Sequence, residues 1–352
     1  MTLQLTTAGE SHGPALVAIV SGLPAGLVLE KSTIDADLAR RQEGYGRSPR
    51  QQIERDEVEV LAGLRHGRTL GTPLALVVRN RDHENWAWGM SPWPPEGEPH
   101  GKGTKPVTLP RPGHADLAGT QKYGFDDARD ALERASARQT ASLVAGGAVA
   151  KALLRELGIF VEGEVLEMGD VDAARAERDT VGGVVEARAS GVPPGLGSYA
   201  SRETRLDARL AAALMGIQAV KGVEVGDGFA LARVRGSAAH DEIEPGLRRS
   251  TNRAGGIEAG VSNGEEIVLR AAMKPLPTLM RPLRSVDLAT GDPKEALVER
   301  SDVAAVEALA VVAEAAVAFE LARAAREKFG GDAMVDVLEA YRAYLDRIEW
   351  GP

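Results

Sequence analysis

Five arginines, Arg40, Arg41, Arg47, Arg50 and Arg55, fall within 16 residues of an otherwise acidic chain. Planar guanidinium forks pair bidentately with carboxylate and phosphate oxygens, so such a cluster suits a small polyanion. No aromatic platform or long basic stripe surrounds it, which argues against nucleic acid. The plainer alternative is a solvated helix face with salt bridges to Glu54, Asp56 and Glu57. Two of the six histidines sit in glycine turns, Gly9-Glu10-Ser11-His12-Gly13 and Arg111-Pro112-Gly113-His114-Ala115-Asp116. Acid catalysis near neutral pH needs a side chain titrating there, and imidazole is the natural choice. A third group, the glycine-rich run 255–264 followed by Lys274-Pro275-Leu276-Pro277-Thr278, offers backbone N–H donors. Those donors could form a nest for phosphate or for the polar edge of a flavin-like ring.

The rest of the composition narrows the field. With 42 Lys+Arg against 51 Asp+Glu the formal charge is −9, a balance opposed to general nucleic-acid binding. A charged fraction of 26% and a hydrophobic fraction of 43% fit a folded chain rather than a disordered one. Cysteine is absent, so neither a disulfide scaffold nor a thiolate metal site can be built, no metal site is expected, and the cytoplasm is the default. The N-terminus shows no signal-peptide pattern. The richest apolar run, 303–318, is broken by Glu307 and Glu314, so no membrane span is expected. Neither a GxxxxGK[ST] phosphate loop nor an HExxH zinc motif occurs, and no GxGxxG opens a helix.

These candidates need elements to hold them. Leu16–Val20 reads as a buried strand after the Gly9–Pro14 turn, and Ser32-Thr33-Ile34-Asp35 as a capping-box start of a helix to Gln42. Strands are expected at 58–64, 72–78, 182–190 and 266–273. An Ala-rich helical pattern runs from 125 to 157, a second helix from 204 to 220, and a third, apolar nearly all round and therefore buried, from Asp302 to about Lys328. Residues 86–112, rich in Pro, Gly and Trp, lack periodicity and are the best lid candidate. With no linker in sight, one α+β domain over 1–352 is expected.

Taken in order, the motifs resemble those of the chorismate synthase family. They are GESHG at 9–13, RRQEGYGR at 40–47, RPGHAD at 111–116, ERASARQT at 133–140, GIQAVKGVE at 216–224, NRAGGIEAGVSNG at 252–264, KPLPT at 274–278 and ERSDVAAVEA at 299–308. The resemblance implies a β-α-β sandwich, with a helical layer between antiparallel sheets, assembled as a homotetramer. It also implies conversion of 5-enolpyruvylshikimate 3-phosphate to chorismate by anti-1,4 loss of phosphate and a ring hydrogen. Reduced FMN is required without net redox change, and NADPH enters only where the flavin is reduced.

For the residues, the resemblance implies substrate anion binding by Arg41, Arg47 and Arg111, with Arg50 a further candidate. It assigns His12 as general acid toward the leaving phosphate, His114 against the flavin, and Asp302 as proton acceptor with Ser11 and Ser136 as relays. FMN contacts map onto Arg134, Ala135, Ser136, Gln218, Ala219, Gly264, Lys274, Pro275, Leu276, Pro277, Thr278 and Arg300. The run KPLPT departs from the KPTSS-like sequence of many relatives, so backbone rather than hydroxyl contacts are expected there. Outside the resemblance, Asp302 could simply complement the dipole of a following helix, and Ser136 could bond back within one. The competing functions are a non-catalytic anion-binding or assembly protein, and an NADPH-using flavin reductase, which would oxidise its cofactor.

Overall fold

A computed structural model describes residues 2–47, 55–299 and 302–349 of the chain. Leu16, Ala18 and Val20 are buried while Val17 and Ile19 between them are not, the period-two pattern of a strand with one covered face. That strand, β2 (Ala15–Ser21), lies in an antiparallel sheet with β1 (Gln4–Ala8), β3 (Val58–Ala62) and β6 (Leu74–Arg79), in the order β1-β2-β6-β3. The two-residue arms β4 (Leu64–Arg65) and β5 (Arg68–Thr69) form a small hairpin between β3 and β6. A second antiparallel sheet holds β7 (Phe160–Met168), β8 (Gly183–Ser190), β9 (Val220–Val225) and β12 (Ile267–Met273), ordered β7-β8-β12-β9. Between β9 and β12 the chain makes the small hairpin β10 (Ile257–Glu258) and β11 (Val261–Ser262), and a later ribbon pairs β13 (Arg284–Val286) with β14 (Pro293–Glu295).

The helices, in chain order, are α1 (Lys31–Gln42), α2 (Asp116–Tyr123), α3 (Arg129–Ala135), α4 (Thr140–Glu156), α5 (Val171–Glu177), α6 (Leu206–Met215), α7 (Gly236–Ala239), α8 (Val306–Phe329) and α9 (Met334–Ile348). Helix α4 packs on β1, β2 and β6, helix α8 packs on β7 and β8, and the two helices pack on each other. The expected class, α+β with a helical layer between antiparallel sheets, is therefore observed. A Cβ at Gly147 would come within 2.4 Å of the Ala315 side chain, so α4 and α8 cross at a distance only glycine permits. Among the described residues no helix is long and apolar enough to cross a membrane.

Charge within the helical layer is balanced locally. Glu314 of α8 meets Lys151 of α4, accepts from Arg40 Nη2 at 2.8 Å, and caps the Gly163 N–H of β7 at 3.1 Å. Asp37 of α1 pairs with Lys151 Nζ at 2.5 Å and with Arg40 Nη1 at 3.0 Å. Arg40, grouped above with the candidate anion binders, thus serves this layer.

Three local expectations fail for identifiable reasons. The pattern from 125 to 157 is three pieces rather than one helix, because Ser136 has an extended backbone (φ −61°, ψ 143°) that ends α3 and caps a short 3₁₀ turn before α4. The capping box at Ser32 does not form; α1 starts at Lys31, and the Thr33 hydroxyl donates to the Glu30 carbonyl instead. Helix α8 begins at Val306, so Asp302 lies ahead of it and does not complement its dipole. The segment after 330 carries α9, whose buried Met334, Val337 and Tyr341 follow helical spacing. Residues 87–112 carry no helix or strand, as expected, after a 3₁₀ turn over Arg81–Trp86.

Candidate active site

The turn after β1 brings Ser11 and His12 to one side of a cavity of about 630 Å³. The end of α1 and the turn beyond it add Arg41 and Arg47, and the turn before α2 adds Arg111 and His114. The end of α3 and the break before α4 contribute Ala135, Ser136 and Arg138, and the link from α6 with the start of β9 contributes Gln218, Ala219 and Lys221. Lys274, Leu276, Pro277 and Thr278, just beyond β12, and Asp302, ahead of α8, complete the lining. Such a volume falls within the ordinary range for small-molecule sites.

The cavity has a cationic part and an apolar part. Arg41 is buried against Asp56 (3.0 Å) and the Thr140 hydroxyl (3.2 Å). Burial pulls its pKa down to about 10 and the charges of Arg138 and Arg47 add to this against Asp56, so it stays cationic at neutral pH. Arg138 reaches Asp56 at 2.6 Å and the Asn80 side-chain oxygen at 2.9 Å. Burial alone would push the Asp56 carboxyl up, yet hydrogen bonds and charge from Arg138 and Arg41 hold it below the usual range. Arg47 pairs with Asp302 at 2.8 Å. Three guanidiniums thus face two carboxylates, a local surplus of positive charge. Each of Arg41 Nε, Arg47 Nε and Arg138 Nη2 is buried with no hydrogen-bond partner among the described residues. Unsatisfied buried donors are costly unless an acceptor arrives. Met215, Ile217, Leu276, Pro277, Leu309 and Val312 supply apolar surface suited to a flat ring.

Each histidine is braced by an acid. His12 Nδ1 lies 2.9 Å from Glu133 Oε1, and its backbone N–H donates to Glu133 Oε2 at 2.9 Å. The Ser136 hydroxyl donates to the Ser11 hydroxyl at 3.2 Å, bringing the two expected relay serines into contact and replacing the mid-helix reading of Ser136. His114 Nδ1 meets Asp116 Oδ1, and Arg111 holds both oxygens of Asp116 at 2.8 and 3.1 Å. Burial would raise the Asp116 pKa, but hydrogen bonds from His114 and Arg111 carry it well below the usual carboxylate range. Arg111 also donates to the Thr278 hydroxyl at 2.9 Å, so much of its fork holds the wall together. Gly113, at φ +81°, turns its carbonyl to Lys274 Nζ at 2.9 Å. Burial and the nearby Lys221 lower the pKa of Lys274. Ala219 adopts φ +70°, rare for a residue with a Cβ, and its carbonyl accepts the Lys274 N–H at 3.0 Å.

Comparison with known proteins assigns this arrangement to a family. A chorismate synthase family model matches residues 3–173 and 167–325. The chain belongs to the chorismate synthase family. It is 52% identical to a chorismate synthase of Desulforudis audaxviator (strain MP104C) over 98% of both chains. It is 51% identical to one from Rubrobacter xylanophilus, over 99% of this chain and 98% of that one. A crystal structure of chorismate synthase superposes with a TM-score of 0.79 at 36% identity, covering 99% of each chain. Chorismate synthases are carbon–oxygen lyases, so this chain is assigned as an enzyme of that class.

Against the motifs of this chorismate synthase family member, most expected residues meet in the cavity, and a few do not. The Arg134 guanidinium turns to the Thr7 and Gly9 carbonyls at 3.0 and 3.2 Å, tying α3 to β1. Pro275 and Gly264 do not line the cavity. In the run 255–264 the N–H groups of Gly255, Gly256, Ser262 and Asn263 bond within the chain, which makes it a self-satisfied turn rather than an open nest. Ser262 is buried, donating to the Pro193 carbonyl at 2.6 Å. Arg50 and Arg300 lie outside the described residues. Sequence reasoning missed Arg138, Glu133, Asp116 and Lys221, although the first three sit inside ERASARQT and RPGHAD beside residues it did select.

Proposed function

We propose that the chain converts 5-enolpyruvylshikimate 3-phosphate to chorismate and inorganic phosphate, with reduced FMN bound beside the substrate. One observation carries this reading: His12, Arg47, His114 and Asp302, far apart in the chain, line the same cavity. A C–O bond to phosphate and a ring C–H bond break, a C=C bond forms, and nothing is oxidised overall. A substrate with two carboxylates and a phosphate suits the surplus charge and unsatisfied donors of Arg41, Arg47 and Arg138, and it would be drawn in despite the net charge of −9.

His12 gives its proton to the departing phosphate, while the neighbouring guanidiniums neutralise the developing charge. Asp302, held by Arg47, accepts the ring proton, and the Ser11–Ser136 pair relays it. The donor set fits a reduced flavin: apolar side chains and Pro277 for the ring faces, backbone groups of 276–278 and Ala219 for its polar edge, and Lys274 for negative charge. A reduced flavin held by these residues would supply transient electron donation to the substrate, with no net redox change. His114, fixed by Asp116, keeps a proton beside the reduced ring. NADPH serves only to reduce the flavin, and by family likeness the enzyme works as a cytoplasmic homotetramer of one-domain chains.

Anaerobic mixing of the protein with reduced FMN and this substrate should release one phosphate per chorismate without net flavin oxidation. Folded protein that gives no turnover would leave the anion-binding alternative, and net cofactor oxidation would favour a reductase. Replacing Arg47 by Ala removes a charge-assisted contact of about 1.5–3 kcal/mol, so substrate KM should rise about 10–100-fold, with flavin affinity little changed. Unchanged KM would remove Arg47 from the substrate site. FMN should bind more tightly when substrate is present; fluorescence titrations showing independent sites would contradict a shared cavity.

A further inference from the structure

Glu133 is 1% exposed, and both oxygens of its carboxylate face His12. Oε2 accepts the His12 backbone N–H at 2.9 Å, and the two oxygens stand 2.9 and 3.0 Å from Nδ1 of the same histidine. The Ser11 N–H also donates to the Glu133 carbonyl at 3.1 Å, so α3 grips the turn at two points. The His12 ring is further fixed in its plane. Trp86 stacks on it with centroids 3.9 Å apart and planes 19° from parallel. Trp86 is itself held by its N–H to Asp82 at 3.0 Å and by the Arg129 guanidinium 5.2 Å from its ring. Arg129 Nη1 approaches Glu133 at 3.5 Å, and His83 Nδ1 lies 3.0 Å from the His12 carbonyl.

A carboxylate can only accept hydrogen bonds, so Nδ1 facing it must carry a hydrogen. We propose that Glu133 is a positioning residue for the reaction: it fixes His12 in the Nδ1–H form, so that the proton given up and regained is the one on Nε2. The inference rests on the reading of His12 as general acid. In the cationic ring both nitrogens carry hydrogen, with Glu133 as counter-charge. Nε2–H is transferred to the phosphate oxygen, the neutral ring keeps Nδ1–H, and solvent restores the lost proton. The Trp86 stack keeps the ring from rotating while its charge changes.

Glu133→Gln keeps the size but offers one acceptor and one NH₂ group, which favours the opposite tautomer when the amide faces Nδ1. In a serine-protease triad the corresponding change of acid to amide lowers kcat about 10⁴-fold through the wrong tautomer. Here kcat should fall about 10²–10⁴-fold while substrate KM and FMN affinity stay within about 3-fold. In the His12→Ala background the same substitution should cost nothing further, because Glu133 acts through His12. A merely structural Glu133 would lower both backgrounds equally, and that result would overturn the assignment. Neutron diffraction from crystals of the unsubstituted protein gives a readout independent of turnover. Deuterium on His12 Nδ1 with a bare Glu133 carboxylate supports the proposal, whereas deuterium on the carboxylate with Nδ1 bare refutes it. Absent turnover with Nδ1 deuterated would sink the lyase reading, and with it the role in catalysis, while leaving the Nδ1–H assignment of His12 standing.

Discussion

His12→Ala should lower turnover of 5-enolpyruvylshikimate 3-phosphate about 10²–10⁴-fold, the usual contribution of a general acid, with FMN affinity almost unchanged. Under the proposed reaction an acid is expected to help because protonating the phosphate oxygen as the C–O bond breaks makes phosphate a better leaving group, beyond the charge offset the arginines give. His12 is 8% exposed and clamped by Glu133 and Trp86, so the variant removes a ring held in one orientation and not a mobile side chain. Steady-state kinetics under anaerobic conditions, paired with flavin titration, separates the two roles the ring could have. A parallel loss of FMN affinity would make His12 part of the flavin site and leave the acid unassigned.

Lys151→Met should destabilise the fold by about 3–5 kcal/mol, the cost of removing one partner from a buried ion pair. Lys151 is 7% exposed and Glu314 2% exposed, and the lysine joins Glu314 to Asp37 across α4, α8 and α1. Without it, Arg40 alone faces two carboxylates. The double change Lys151→Met with Glu314→Gln should recover most of the loss, since the stranded charge goes with its partner; denaturant unfolding of the three variants tests this, and strict additivity would refute it. The pH dependence has a definite sign. Burial pushes the Glu314 pKa up from 4.5, but Arg40 and Lys151 reverse this and hold it lower. A depressed folded pKa contributes stability above the unfolded value, and this is lost as pH falls through the folded one. Loss of Lys151 should therefore move acid unfolding to higher pH, seen as a thermal midpoint that drops earlier on acidification.

The helical layer was legible because most of α8 is apolar nearly all round, a pattern that burial between layers explains. Glu314 in that run reads as an interruption, and nothing local reveals that Arg40 and Lys151, distant in sequence, neutralise it. The same limit applies to the cavity. Arginines and histidines in glycine turns announce anion chemistry, but that Arg47 meets Asp302 while Arg40 turns to the helical layer depends on how α1 docks. The helix expected over 125–157 failed because Ala-rich propensity is a weak prior against tertiary demand. The break at Ser136 is what lets Ser136 and Arg138 reach the cavity and leaves Glu133 against His12.

Helix α8 is at once a cavity wall, through Ala308, Leu309 and Val312, and the element whose middle carries the buried ion network. Deforming that wall would strain the joint between both sheets, so the floor under the ligands is as rigid as the molecule itself. Any change of shape on ligand admission and product escape is then expected in the turns that line the cavity, those carrying Ser11, Arg111 and Lys274 among them. Amide exchange along 308–321 should proceed only by global opening, at the slowest rates in the chain, whether or not ligands are bound.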